Sequence, residues 1–198
     1  AALAAAGRPD EAVDWYQKAL VLRPGDVMLL ENLAVIHALR GDKLKAIEYY
    51  NRAIDGGTRS ARVYGNLGVL CAGLGLADDA ERFYQRALQL DPSRADTHFN
   101  MGAVLEAKGA KEEAAAHFQK ALDLNPAYLE AFERINKILT AQKDFKQLER
   151  AYRKMLHRLT SFQRDEVGTQ KKVDVLYSLW HALGLIYRDR LLEKPKAI

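Results

Sequence analysis

A chain of 198 residues, 48% apolar and 28% charged, with a net charge of +4, has enough apolar surface for a packed core and none of the bias that marks disorder or collagen. Charged residues interrupt every apolar run well before the roughly 18–20 residues of a membrane-spanning helix. A single cysteine, Cys71, excludes an internal disulfide, and no Cys/His group has zinc spacing, so the fold is expected to stand on packing alone, without metal or cofactor.

In chain order, the sequence opens at Ala1 inside a helical pattern. It then runs through a partial unit at 1–26, full units at 27–60, 61–94 and 95–128, and a more divergent unit at 129–160. A polar stretch at 161–176 breaks the pattern and reads as a non-repeat insertion. A partial further unit at 177–198 restarts it with Trp180, Leu183, Gly184 and Tyr187. Both ends read as cut helices, so self-association through them is expected and the compartment is left open.

The period is 34 residues: Gly41, Gly75 and Gly109 hold it, as do Ala46, Ala80 and Ala114; Tyr50, Tyr84 and Phe118; Ala53, Ala87 and Ala121; and Pro92 and Pro126. A fixed period of this length marks stacked supersecondary units. Glycines 75 and 109 are placed to end first helices in a left-handed conformation. The acidic pairs Asp78-Asp79 and Glu112-Glu113 open second helices, where negative charge complements the helix dipole. Small residues such as Gly68, Gly102 and Ala80 let two helices approach, with Leu67, Tyr84, Met101 and Phe118 between them. In the unit at 129–160, Lys143 stands where glycine is expected and Leu148 where alanine is, which predicts an altered packing angle there.

Tyr64, Leu67, Gly68, Gly75, Ala80, Tyr84, Ala87 and Pro92, repeated in phase by His98, Met101, Gly102, Gly109, Ala114, Phe118, Ala121 and Pro126, resemble the tetratricopeptide repeat. The resemblance implies an all-α fold, a right-handed α-solenoid of antiparallel helix pairs forming a superhelix. It also implies a protein-interaction scaffold whose first helices line a concave groove for a protein or peptide partner. The groove positions so implied are Asn32, Asn66, Asn100, Val35, Leu39, Val69, Phe99, Ala103 and Arg134. The asparagines form a row that looks like the ladder in the repeats of O-GlcNAc transferase, with amide donors and acceptors suited to a peptide backbone, and are expected to be exposed, so that alanine there leaves folding nearly intact. The alternative function is a substrate-recruiting arm of a larger glycosyltransferase. A clamp for a C-terminal carboxylate fits poorly, since Gly65 and Val69 replace two of its residues and Glu130 stands beside Arg134.

Charge is uneven, with net +7 from Ala131 onward and −3 before it. Lys146, Arg150, Arg153, Lys154 and Arg158, with His157, fall on one broad helical face. A further alternative makes that face an adaptor for RNA or an anionic membrane. With no base-stacking aromatics interleaved, it reads instead as a solvated face, and neither nucleic acid nor membrane is an expected partner. No histidines sit four apart on one helix, and Gly73-Leu74-Gly75 ends a helix instead of following a strand, so no catalytic constellation is read. His37 and His98 are expected to pack as aromatics.

Overall fold

The computed structural model describes residues 9–161, 174 and 177–186. It is all-α, an array of antiparallel helix pairs of the α-solenoid class, in two compact units divided between Lys108 and Gly109. The first unit holds α1 (Pro9–Leu22), α2 (Val27–Leu39), α3 (Lys43–Asp55), α4 (Ala61–Ala72), α5 (Ala77–Leu90) and α6 (Ala95–Ala107). The second holds α7 (Lys111–Leu124), α8 (Leu129–Ala141) and α9 (Phe145–Ser161), and residues 177–186 are helical. The division falls inside the sequence unit 95–128, between its two helices.

In the first unit, α2 pairs with α3 and α4 with α5, and each pair leans on its neighbours along the chain. Among the described residues, two apolar clusters serve its first four helices. Ala12, Val13, Leu20, Leu30, Leu33 and Ile36 join α1 to α2, and Ala34, Ala46, Tyr50, Val63, Leu67 and Leu70 join α2, α3 and α4. The alanines of the period are buried because only a methyl group fits where a second helix crosses the first: Ala46, Ala80 and Ala114 are all fully enclosed. Gly68 goes one step further. A Cβ there would lie 2.4 Å from the Tyr84 ring, so α4 and α5 meet at a distance only glycine permits.

The turn between paired helices is one backbone motif used repeatedly. Gly41 N bonds Ala38 O at 3.0 Å and Asp42 N bonds His37 O at 2.9 Å, the two-bond closure of a Schellman turn, with Gly41 at φ 83°. Gly75 repeats it at φ 78°. In the second unit, Lys143 adopts the same turn at φ 55°, with Lys143 N on Thr140 O at 3.1 Å and Asp144 N on Leu139 O at 3.0 Å. The missing glycine therefore leaves the turn intact, because the closing bonds are backbone bonds, at the cost of about 1–2 kcal/mol for a left-handed non-glycine residue.

A second periodic device ties the start of a second helix to the end of the next first helix. Lys43 Nζ donates to Gly73 O at 2.8 Å, and Lys108 Nζ donates to Asp78 at 2.7 Å and to Glu81 at 2.6 Å. Gln142 Nε2 donates to Glu112 in the second unit. The Lys108 bonds hold Asp78 below the usual carboxylate range and push the lysine above its own. The position is the same each time; the chemistry differs.

Candidate partner-binding site

In the first unit, α2, α4 and α6 place Asn32, Asn66 and Asn100 one period apart, and each is half-buried instead of exposed. Asn66 shows why: its Nδ2 donates to the Tyr50 hydroxyl at 2.7 Å, an oxygen that the second helix of the preceding pair brings to it. The expectation that these amides stand free in a groove is corrected on this point. The Asn66 amide nitrogen thus serves the fold. Asn66→Ala is accordingly expected to destabilise the chain by about 1–3 kcal/mol, because it strands a buried hydroxyl. In the Tyr50→Phe background the same change should become nearly neutral, and urea unfolding of the four proteins checks this. Equal costs in both backgrounds would show that the bond carries no stability.

Leu39 is 79% exposed and Val69 49%, while Val35 and Ala103 are half-buried. Phe99 is a correction: at 8% exposure its ring lies in the core and lines no open surface. Its position is that of Gly65 in the preceding unit, and a ring there gains more from burial, about 1.5–3 kcal/mol, than from standing in water. Glu31, half-buried on α2, organises this face. It accepts Thr58 Oγ1 at 2.7 Å and Arg62 at 3.2 Å, so one carboxylate joins α2 to α4. Arg62 was missed; its signal was that it stands one period after Met28 and one before Asp96.

His37 packs as an aromatic, as expected. It is 3% exposed, stacks on Tyr49 with centroids 5.4 Å apart, and turns Nδ1 to the Asp42 carboxylate at 3.2 Å. Cys71 is buried on α4, and burial, with Asp79 adding, pushes its thiol above the ordinary range. It is built as core, not as a nucleophile.

In the second unit, Arg134 is half-buried on α8. The single basic face expected on α9 divides. Lys146, Arg150 and Lys154 line a cleft between α7 and α9, whereas Arg153 turns to Glu149 on its own helix at 3.1 Å. The Arg158 side chain lies outside the described residues, as does most of the insertion at 161–176. α9 itself runs one residue past the expected end of the array, to Ser161. Among the described residues no group of three or more His, Cys, Asp or Glu is placed to hold a metal ion, and no helix is long and apolar enough to cross a membrane.

Two models of the tetratricopeptide repeat match this chain, one over residues 2–61 and one over 59–127. The chain belongs to the tetratricopeptide repeat family. Solved structures agree on the fold. The crystal structure of MamA is 23% identical with a TM-score of 0.73, over 80% of this chain and 93% of MamA. PilF of Pseudomonas aeruginosa is 21% identical with a TM-score of 0.68, over 98% and 93%. YrrB, described as a tetratricopeptide protein with an unusual peptide-binding site, is 20% identical with a TM-score of 0.65, over 83% and 82%. No curated protein matches the sequence. Within this tetratricopeptide chain, the half-buried asparagines and the exposed Leu39 and Val69 lie on first helices, the helices that carry the candidate face.

Proposed function

We propose that this tetratricopeptide protein is an interaction scaffold whose first-helix face holds an extended segment of a protein partner. The observation that carries the reading is the exposure of Leu39 and Val69, 79% and 49%, on α2 and α4, whose remaining apolar residues, the exposed Met28 apart, are wholly or partly packed. A partner that covered them would return about 1.5–3 kcal/mol at Leu39 and about half that at the half-covered Val69. Around them, Asn32, Asn100 and the carbonyl of Asn66 offer amide groups that read a peptide backbone whatever its side chains. The Glu31–Arg62 pair fixes the spacing of α2 and α4 beneath such a ligand. YrrB, with its peptide-binding site, supports the same reading by likeness of fold. A substrate-recruiting arm of a glycosyltransferase draws no support from the three structures named.

The test selects peptides from a random display library against the full chain and measures each by fluorescence anisotropy. Binding is expected to weaken at least about tenfold, or 1.4 kcal/mol, in Leu39→Glu/Val69→Glu, with a smaller loss in Asn32→Ala/Asn100→Ala, which spares the Asn66–Tyr50 bond. Selected peptides that bind both variants as tightly as the parent would remove the first-helix face from the account.

A further inference from the structure

The second unit carries a cleft that the first-helix face does not use, and its origin is legible in the repeat. The period that places Ala34, Gly68 and Gly102 on successive first helices places Asn136 on α8. Opposite it, at the position of Tyr50 and Tyr84, stands Tyr152. At Gly68 even a methyl group would meet the facing tyrosine at 2.4 Å, so an asparagine side chain fits only if the helices stand further apart. Asn136 faces the Tyr152 hydroxyl and partly offsets the upward push that burial gives that hydroxyl, and α8 and α9 pack more sparsely than α4 and α5. Between α7 and α9 a cleft of about 590 Å³ opens, within the roughly 300–1,000 Å³ of ligand pockets.

Its base is apolar and its α9 wall is cationic. Ala115 and Ala116 of α7 and Ala151 of α9 lie over Ile135 and Leu139 of α8. Lys146, Arg150 and Lys154 follow one another at helical i, i+4 spacing along α9. The carboxylates that also line the cleft are already engaged. Glu112 accepts from Gln142, and Asp144 caps α9 by accepting Gln147 N at 3.0 Å and Gln147 Nε2 at 2.8 Å. Both sit at helix N-termini, where the dipole compensates them. Lys154 is tied to Asp123 at 2.9 Å. Among the described residues, Lys146 and Arg150 are left with their charge unmatched, over an apolar base.

We propose that this cleft is a second docking site, for an acidic segment of a partner protein that seats an aliphatic side chain on the Ile135–Leu139 base and turns carboxylates to Lys146 and Arg150. Among the described residues the lining holds no aromatic ring and so offers a nucleic-acid base nothing to stack on, and a concave apolar base does not match a planar headgroup layer.

The probe is a short fluorescein-labelled peptide of Asp, Glu and Leu, compared with an Asn/Gln/Leu version and an Asp/Glu/Ser version, titrated into the full chain. The acidic leucyl peptide is expected to bind at least about tenfold tighter than either counterpart. Lys146→Glu/Arg150→Glu, and separately Ala116→Trp, which fills the cleft from an exposed position, should each weaken it by a similar factor. Leu39→Glu/Val69→Glu should not. Circular dichroism melts identify any variant that fails to fold, in which case Lys146→Gln/Arg150→Gln replaces the reversal. Equal binding of the amide peptide overturns the proposal. So does loss of binding in the first-helix variant alone, which would credit the function above instead. Tighter, cleft-dependent binding of oligouridine or of phosphatidylserine vesicles would replace the partner class, and a cleft-dependent dimer in sedimentation would make the occupant a second copy of this chain.

Discussion

Tyr84→Ala is expected to remove about 3–5 kcal/mol of stability, the usual loss for a large ring taken from a closed core. Tyr84 is 2% exposed and its ring fills the gap against Gly68. Gly68→Ala should cost about 1–3 kcal/mol in the parent chain, because the added methyl meets the ring at 2.4 Å and overpacks the pair. In the Tyr84→Ala background the same methyl has room, and alanine's better helix propensity, worth up to about 1 kcal/mol, should make it neutral or stabilising. The coupling between the two positions is thus expected to change the sign of Gly68→Ala, which a double-mutant cycle by urea unfolding reads directly. Additive costs would mean that the helices shift apart to admit the methyl, and that the close approach is not held by the ring.

Raising the pH above about 10 should unfold the first unit steeply. Tyr50 and Tyr84 are 1% and 2% exposed, and burial lifts both hydroxyls above their ordinary value; the Asn66 bond partly offsets the lift at Tyr50, and Cys71 adds to it at Tyr84. A folded-state pKa above the unfolded one leaves the stability contribution complete below the unfolded value near 10. It is lost as the pH climbs from there toward the folded values, since only the unfolded chain ionises. The slope approaches about 1.4 kcal/mol per pH unit for each tyrosine, or about 2.7 for the two. Lys108 stays charged further into this window than an ordinary lysine, so its ties to Asp78 and Glu81 persist while the tyrosines are titrating. Urea midpoints between about pH 8 and pH 12, taken in a Cys71→Ala background that removes the loss the raised Cys71 thiol adds from about pH 8.5 upward, with tyrosinate absorbance recorded alongside, check the expectation, and Tyr84→Phe should halve the slope. Stability that begins to fall below about pH 9, or that holds level through pH 11, would contradict it.

The helices and their pairing were legible because each rests on a residue type repeated at fixed spacing: alanine where helices cross, glycine where the turn inverts, an aromatic ring between. What the period hid was pairing across it. Asn66 and Tyr50 are sixteen residues apart, a separation with no place in a 34-residue pattern, so the row of amides was visible and its tie to the core was not. Phe99 shares its position with Gly65, and a glycine gives no sign of which way a larger side chain would turn. In the last described pair the reading settled on Lys143 and Leu148. The turn at Lys143 proved ordinary, and Leu148 is buried. Asn136, in the row of Ala34, Gly68 and Gly102, was the residue that explains the loosened pair and its cleft. That signal was present in the sequence and needed the facing ring to give it meaning.

The ties between successive helix pairs, from Lys43 to Gly73, Glu31 to Arg62, Lys108 to Asp78 and Glu81, Gln142 to Glu112 and Lys154 to Asp123, each join residues 27 to 31 apart. Each therefore closes a chain loop of nearly the same length and the same modest entropy. No one of them needs distant chain to be gathered first. Assembly can begin at any neighbouring pair and spread outward in either direction, one repeat at a time, as in a zipper with many possible starting teeth. A lesion at one tie then slows the passage of order through that point while leaving other starting points open.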